Sequence, residues 1–332
     1  MRAPDFWRKP NFLARLLSPL GALYGASVAF KARHAMPLDP GIPVICVGNL
    51  TAGGSGKTPV AIAIAEMLRA RGHRPCFLTR GYGGSERGPA LASRGHSAEV
   101  MGDEALLLAR TAPTIVARDR AAGARLAIEK GATALVMDDG HQNFALRKSL
   151  SLVVVDAETG FGNGFQIPAG PLREPVPQGL ARADAVILVG PGGRSPEDGR
   201  AAKRAQAGSP DLQGFGGPVL RVHLQADGAA FAGKTVFAFA GIGRPEKFLA
   251  SLQAGGAIVT GSCFFADHHP YSDGEILQLK AIAGDALLVT TEKDFVRLTT
   301  TQREGIRVLK VATRFDDAPA MERLLDSAAP RP

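Results

Sequence analysis

Gly53-Gly54-Ser55-Gly56-Lys57-Thr58 follows the apolar run Val44–Val47 and leads into a helical pattern over Val60–Arg71. Glycines in a strand-to-helix turn let backbone N–H groups close on phosphate oxygens, and the helix N-terminus adds its dipole. In that frame Lys57 reaches the β- and γ-phosphates of a nucleotide and the Thr58 hydroxyl ligates Mg²⁺. Pro59 falls in the first helical turn, where its missing N–H costs little. The spacing departs from G-x-x-x-x-G-K-[ST] because Thr51 stands at the first glycine position. Ala52 stands where deviant P-loops carry a signature lysine. Thr51 to Thr58 is the candidate nucleotide-binding segment.

Ala134-Leu135-Val136-Met137-Asp138-Asp139 has the form of the partner element, an apolar strand ending in carboxylates. There Asp138, before Asp139, is the expected Mg²⁺ partner. The chain has neither an N-K-x-D base-reading motif nor an LSGGQ sequence, which favours a kinase over a switch GTPase or a transport ATPase. Arg173 and Glu174, in a proline-rich block, are placed to meet substrate phosphate and metal or hydroxyl respectively; otherwise they form a surface ion pair of little worth. Asp103 and Glu104 follow Gly102 and read equally as helix-capping carboxylates. His268 lies between Asp267 and His269, just before Pro270, and a carboxylate-bonded imidazole gains basicity. Arg118 and Arg120 open a helix and are weaker candidates for substrate phosphate. His141 and Gln142 follow the carboxylate pair as supporting groups, and Tyr82 reads as structural.

The elements that must carry these residues alternate. Strands are expected at Val44–Val47, Cys76–Thr79, Thr114–Ala117, Ala134–Met137, Leu152–Val155 and Ala185–Val189, with helices at Val60–Arg71, Ala98–Ala109 and Ala121–Lys130. Residues 191–218 are rich in glycine, proline and charge, with one helix expected over 196–207 and a connecting strand at Val219–His223. A second alternation runs through strand Thr235–Phe239, helix Pro245–Gln253, strand Ala257–Thr260, helix Asp273–Ala283, strand Ala286–Thr290, strand Val308–Val311 and helix Asp317–Asp326. The pattern is α/β, with two α/β/α domains and mainly parallel sheets, the first P-loop-like. The expected divisions are an N-terminal helix over 1–34, a kinase domain over 35–222 and a smaller α/β domain over 223–332, which closes the cleft.

With 332 residues, 45% hydrophobic and 21% charged, the chain is long enough for such a pair of cores and is not a disordered one. The three cysteines, Cys46, Cys76 and Cys263, are too scattered for a disulfide framework or a zinc site. The net charge of +8 is concentrated: Arg2, Arg8, Lys9, Arg15, Lys31 and Arg33 face the single acid Asp5 within the first 34 residues. That is not the distribution of a nucleic-acid binder, and no obligate protein partner is expected. Phe6, Trp7, Phe12, Leu13, Leu16, Leu17 and Leu20 recur at mostly helical spacing among these cations. Two readings stay open: a helix resting on an anionic membrane surface, or one packed on the protein's own body. The 15 uncharged residues Leu16–Phe30 are short of the ~20 a spanning helix needs. A cleaved signal peptide conflicts with a motif that requires cytosolic ATP.

Gly48-Asn49-Leu50-Thr51-Ala52-Gly53-Gly54-Ser55-Gly56-Lys57-Thr58-Pro59 resembles the nucleotide loop of the tetraacyldisaccharide 4′-kinases, in whose version Thr51 is at home. The resemblance continues through Arg80-Gly81-Tyr82-Gly83-Gly84, Gly102-Asp103-Glu104, Asp138-Asp139-Gly140-His141-Gln142 and Pro168-Ala169-Gly170-Pro171-Leu172-Arg173-Glu174-Pro175. It ends with Gly241-Ile242-Gly243-Arg244-Pro245-Glu246-Lys247-Phe248, Asp267-His268-His269 and Thr291-Glu292-Lys293-Asp294. It implies ATP- and Mg²⁺-dependent phosphorylation of the 4′-hydroxyl of an acylated glucosamine disaccharide 1-phosphate, giving a lipid A precursor. It also implies a peripheral or monotopic protein at the cytoplasmic face of the bacterial inner membrane. The family's Asp–His pair, which orients or deprotonates the attacking hydroxyl, matches Asp103 and His268.

Overall fold

Strands that are apolar without interruption are buried on both faces, and the sheet they build explains the pattern. The computed structural model of the chain describes residues 4–93, 95–190, 212 and 214–331, and the helix expected over 196–207 lies outside the described residues. β1 (Val44–Gly48), β2 (Pro75–Thr79) and β5 (Ala134–Asp138) are buried along their whole length. Val44 and Cys46 point into one core with Leu78, Leu135 and Met137, roofed by Ala124 and Ala127 of α5 (Arg120–Glu129). Ile45 and Val47 point into the opposite core with Phe77, Val136 and Ile187, under Val60, Ile64 and Leu68 of α2 (Lys57–Ala70).

The remaining strands of this sheet are β3 (Ala90–Ala92), β4 (Thr114–Val116), β6 (Leu150–Asp156), β7 (Ala185–Gly190), β8 (Val219–Ala226) and β13 (Val311–Phe315). The order is β13-β8-β7-β6-β1-β5-β2-β4-β3, with β3 and β13 antiparallel at the edges and the rest parallel. A second, four-stranded sheet runs β10 (Ile258–Phe264), β9 (Thr235–Ala240), β11 (Leu287–Thr291) and β12 (Ile306–Leu309), all parallel. Phe248 and Leu252 of α7 (Pro245–Ala254) cover one of its faces, and Ile276 and Leu279 of α8 (Asp273–Ala283) cover the other.

Three details depart from the sequence pattern. The run Val308–Val311 is not one strand: it divides at Lys310 between β12 of the second sheet and β13 of the first. Residues 223–332 therefore do not stay together, because β8 runs on to Ala226 and α10 (Ala318–Ala328) returns Met321 and Leu325 to the core beneath α2. The outgoing and returning crossings lie side by side, with Asp227 N donating to Lys310 O at 2.9 Å. Second, the helix expected over Ala98–Ala109 is split by Gly102 (φ 85°) into α3 (Ala98–Met101) and α4 (Asp103–Leu108). A Cβ at Gly102 would lie 2.5 Å from Tyr82 O, so the glycine-rich loop fits against the break.

Third, α1 (Phe12–His34) has 23 residues, well beyond the uncharged run, and is long and apolar enough by composition to cross a membrane. Its buried positions, Ala14, Gly21, Gly25 and Val28, form one narrow stripe. Phe12, Leu16, Leu20, Leu23 and Phe30 are exposed, so packing on the body does not account for the apolar side. The described residues also include two short α-helices, α6 (Val176–Leu180) and α9 (Glu292–Phe295), and 3-10 turns at Asp5–Trp7 and Gly228–Phe231.

Candidate functional site

The phosphate loop and the carboxylates are brought together by strand register alone. β1 pairs with β5 in parallel, with Val47 opposite Asp138, so the turn after β1 and the acidic end of β5 emerge side by side. Gly56 caps α2 with φ 83°, a conformation that favours glycine, and Lys57 begins the helix. Asn49, buried and not anticipated as a functional residue, donates through Nδ2 to Ser55 Oγ at 3.0 Å and braces the loop from within.

Thr58 Oγ1 donates to Asp138 Oδ2 at 3.0 Å, while Asp138 Oδ1 is buried without a hydrogen-bond partner. Burial pushes the Asp138 carboxyl up to about 7, the charge of Glu104 adds to this, and Lys57 opposes it. An unpartnered oxygen, a neighbouring carboxylate that repels it and a hydroxyl form a donor set that fits a hard divalent cation. Among the described residues there is no group of three or more His, Cys, Asp or Glu placed to hold a metal ion.

Asp139, in a left-handed conformation (φ 57°), does different work. Its Oδ1 lies 3.6 Å from Lys57 Nζ and accepts from Arg173 Nη1 at 2.7 Å. Burial alone would raise its carboxyl, but Lys57 and Arg173 outweigh burial and hold it below the ordinary range. Both oxygens of Glu174 accept from Arg182 Nη2, at 2.7 and 2.6 Å, and Oε1 also accepts from Gln142 Nε2 at 2.9 Å. In this arrangement it anchors Arg182 and Gln142. Arg120 is buried, donates to Ala117 O and leaves Nε unpartnered; burial lowers it to about 10, with Asp139 opposing. Arg118 is exposed. His141 is wholly buried between Ser151 Oγ and Gly179 O, and burial pushes it down to about 3, so it supports the sheet as a neutral ring.

A second cluster is assembled across the two sheets. His268, with Asp139 the other left-handed non-glycine residue among the described residues (φ 63°), places Nδ1 2.9 Å from Asp103 Oδ2. Asp103 Oδ2 also accepts from Arg297 Nε at 3.0 Å and Nη2 at 2.6 Å, while Oδ1 accepts the Glu104 N–H at 2.9 Å. Burial would raise Asp103, but the His268 hydrogen bond and the charges of Lys293 and Arg297 prevail and hold its carboxyl well below the usual range. Arg297 is itself fixed by Asp294 Oδ1 and Gly241 O, at 2.9 and 2.8 Å. Lys293 Nζ lies 3.2 Å from His268 Nε2, and the exposed Tyr82 meets the imidazole edge-on at 6.3 Å between centroids. Sequence reasoning passed over Arg297, although its i,i+3 spacing from Asp294 was a signal.

A family model described as tetraacyldisaccharide-1-P 4′-kinase matches residues 13–329. The chain is 51% identical over 331 residues to the tetraacyldisaccharide 4′-kinase of Paramagnetospirillum magneticum, covering 98% of both. It is 50% identical to that of Rhodospirillum rubrum, over 98% of this chain and 97% of the relative. Among solved structures, LpxK from Aquifex aeolicus in complex with ATP superposes with a TM-score of 0.77 at 26% identity, over 96% of this chain and 99% of that one.

Proposed function

Since the chain belongs to the tetraacyldisaccharide-1-P 4′-kinase family, we propose a division of labour among its residues for that reaction. The chain is an ATP-dependent kinase that phosphorylates the 4′-hydroxyl of an acylated glucosamine disaccharide 1-phosphate, forming a lipid A precursor, with Mg²⁺ as its metal. Thr51 to Thr58 cradle the triphosphate with backbone N–H groups, and Lys57 leaves Asp139 to meet the β- and γ-oxygens. Thr58 and Asp138, with the charge of Glu104 beside them, would hold Mg²⁺, which would neutralise charge on the phosphate oxygens. Asp139 keeps Arg173 beside Lys57, and Arg173 with Arg120 attracts substrate phosphate.

On the acceptor side, Asp103 is a poor base because both of its oxygens are engaged and its carboxyl is held low. Its part is to keep the proton of His268 on Nδ1. His268 Nε2 then takes the proton of the 4′-hydroxyl, which enters where Lys293 Nζ now lies. The two lobes close around this site along the Arg297–Asp103 contact and along the pairs of Arg244 and Lys247 with Glu158, at 3.1 and 2.7 Å. The exposed side of α1, with Arg8, Lys9 and Arg15, rests on an anionic membrane at its cytoplasmic face. Because mid-helix residues Gly21 and Gly25 pack on the body, the mode is monotopic and not spanning.

The observation that carries this reading is the 2.9 Å contact of His268 Nδ1 with Asp103 Oδ2, which joins the two lobes at the reacting hydroxyl. Asp103→Asn should lower kcat roughly 10²–10⁴-fold with KM for ATP unchanged. Lys57→Ala should instead collapse kcat/KM for ATP. Steady-state transfer of radiolabelled γ-phosphate measures both, and wild-type kcat in Asp103→Asn would overturn the assignment.

A further inference from the structure

The strap Asn163–Pro175 lies between α1 and the nucleotide loop, and it is bonded to both. On the helix side, Gly21 approaches so closely that a Cβ there would lie 2.8 Å from Gln166 O. Trp7 Nε1 donates to Pro168 O at 3.0 Å, and the buried Asn163 donates through Nδ2 to Phe6 O and Ala169 O, both at 2.9 Å. On the site side, Ala52 N donates to Pro171 O and Arg173 N to Leu50 O, each at 2.7 Å. Thr51 forms an antiparallel bridge with Leu172. One thickness of backbone therefore separates the membrane-facing helix from the peptide groups that cradle phosphate, and the strap ends in Arg173, which reaches Asp139.

We propose that α1, with the turn Asp5–Trp7 that precedes it, is a positioning element for the phosphate site: docking through Gly21 of the helix and Trp7 of the turn sets the strap, and the strap sets the P-loop and Arg173. The inference rests on the reading of Lys57, the P-loop and Arg173 given above. The mechanism is geometric. Short hydrogen bonds at both ends of a half-buried strap pass on a shift of the helix, and a misplacement of about 1 Å at reacting groups costs up to ~10²-fold in rate. Contact of the helix with lipid and occupancy of the phosphate site are then linked, so each favours the other.

The test uses the full chain, with acceptor dispersed in detergent, and reads kcat and KM for ATP, sedimentation with phosphatidylglycerol vesicles and thermal midpoint. Gly21→Ala and Gly25→Ala change helix propensity alike, but a Cβ at Gly25 meets Pro175 Cδ at an ordinary 3.5 Å. Gly25→Ala should keep wild-type constants. Gly21→Ala should still sediment with vesicles while kcat/KM for ATP falls about tenfold or more. Trp7→Phe, which removes only the donor to Pro168 O, should show a smaller loss in the same direction, and it decides the matter if Gly21→Ala does not fold. Wild-type kcat and KM in both variants would overturn the proposal, as would an equal loss in Gly25→Ala. Lys57→Ala separates the two layers. Undiminished turnover there would sink the reading of the site, whereas a dead Lys57→Ala beside a fully active Gly21→Ala would sink the coupling alone.

Discussion

Replacing Arg297 by glutamine removes one charge from a place where three charged groups meet out of water. The side chains of Arg297 and Asp103 are each 5% exposed, and Asp294 is fully buried. Breaking a buried ion pair by deleting one partner costs about 3–5 kcal/mol, because the other charge is left uncompensated. The low end applies: Asp103 retains His268 and Asp294 retains Tyr271 OH, the Gly241 N–H and Thr291 Oγ1. We expect a loss of ~3 kcal/mol at pH 7. Asp103 has a depressed folded carboxyl, so its contribution is fully present above the unfolded value of about 4 and is lost as pH falls toward the folded value. The gap between wild type and Arg297→Gln should accordingly narrow below about pH 4. Urea denaturation across this range, run as a double-mutant cycle with Asp103→Asn, measures it, and the coupling should exceed about 1 kcal/mol. A coupling under ~0.5 kcal/mol, or a gap independent of pH, would refute the claim that Arg297 acts on Asp103.

Two further outcomes follow from the same geometry. With Asp138 as the Mg²⁺ ligand proposed above and its carboxyl pushed by burial to about 7, calorimetric Mg²⁺ affinity should weaken about tenfold from pH 8 to pH 6, with a proton released on binding; a pH-independent affinity contradicts this. Leu16→Asp and Leu23→Asp alter side chains 63% and 68% exposed, and at ~1.5–3 kcal/mol per apolar side chain each should cut vesicle sedimentation more than tenfold without lowering the thermal midpoint. A lowered midpoint would show that the exposed side packs on the body.

The strands and the phosphate loop were legible because their signal is local. Val44–Val47 is apolar at every position since both faces of β1 are covered, and the glycines beside Lys57 mark the turn that follows. The Asp103–His268 pair was not legible from spacing, because its members are joined only when the second sheet meets the first; the family resemblance supplied it. Arg297 escaped for the same reason, since an arginine whose partner is 194 positions away looks like any solvated one. The ion pair of Glu174 was not legible because its partner, Arg182, lies beyond the motif that drew attention to it. The break at Gly102 was hidden as well: the residues on either side have helical character, and only the approach of Tyr82 O shows why the helix stops.

The return of β13 and α10 to the first sheet makes the second lobe an insert, not an appendage. Asp227 and Lys310, hydrogen-bonded to one another, are its two ends, so it hangs from the edge of the first sheet by a pair of adjacent stalks. Two adjacent tethers, together with the pairs of Arg297 with Asp103 and of Arg244 with Asp156, fix the second lobe at both ends and hold His268 against Asp103. A chain cut after Ala226 would therefore not release an intact first lobe. It would bare β8 as an open edge and uncover the core that Met321 and Leu325 seal, and unpaired edges of that kind invite aggregation.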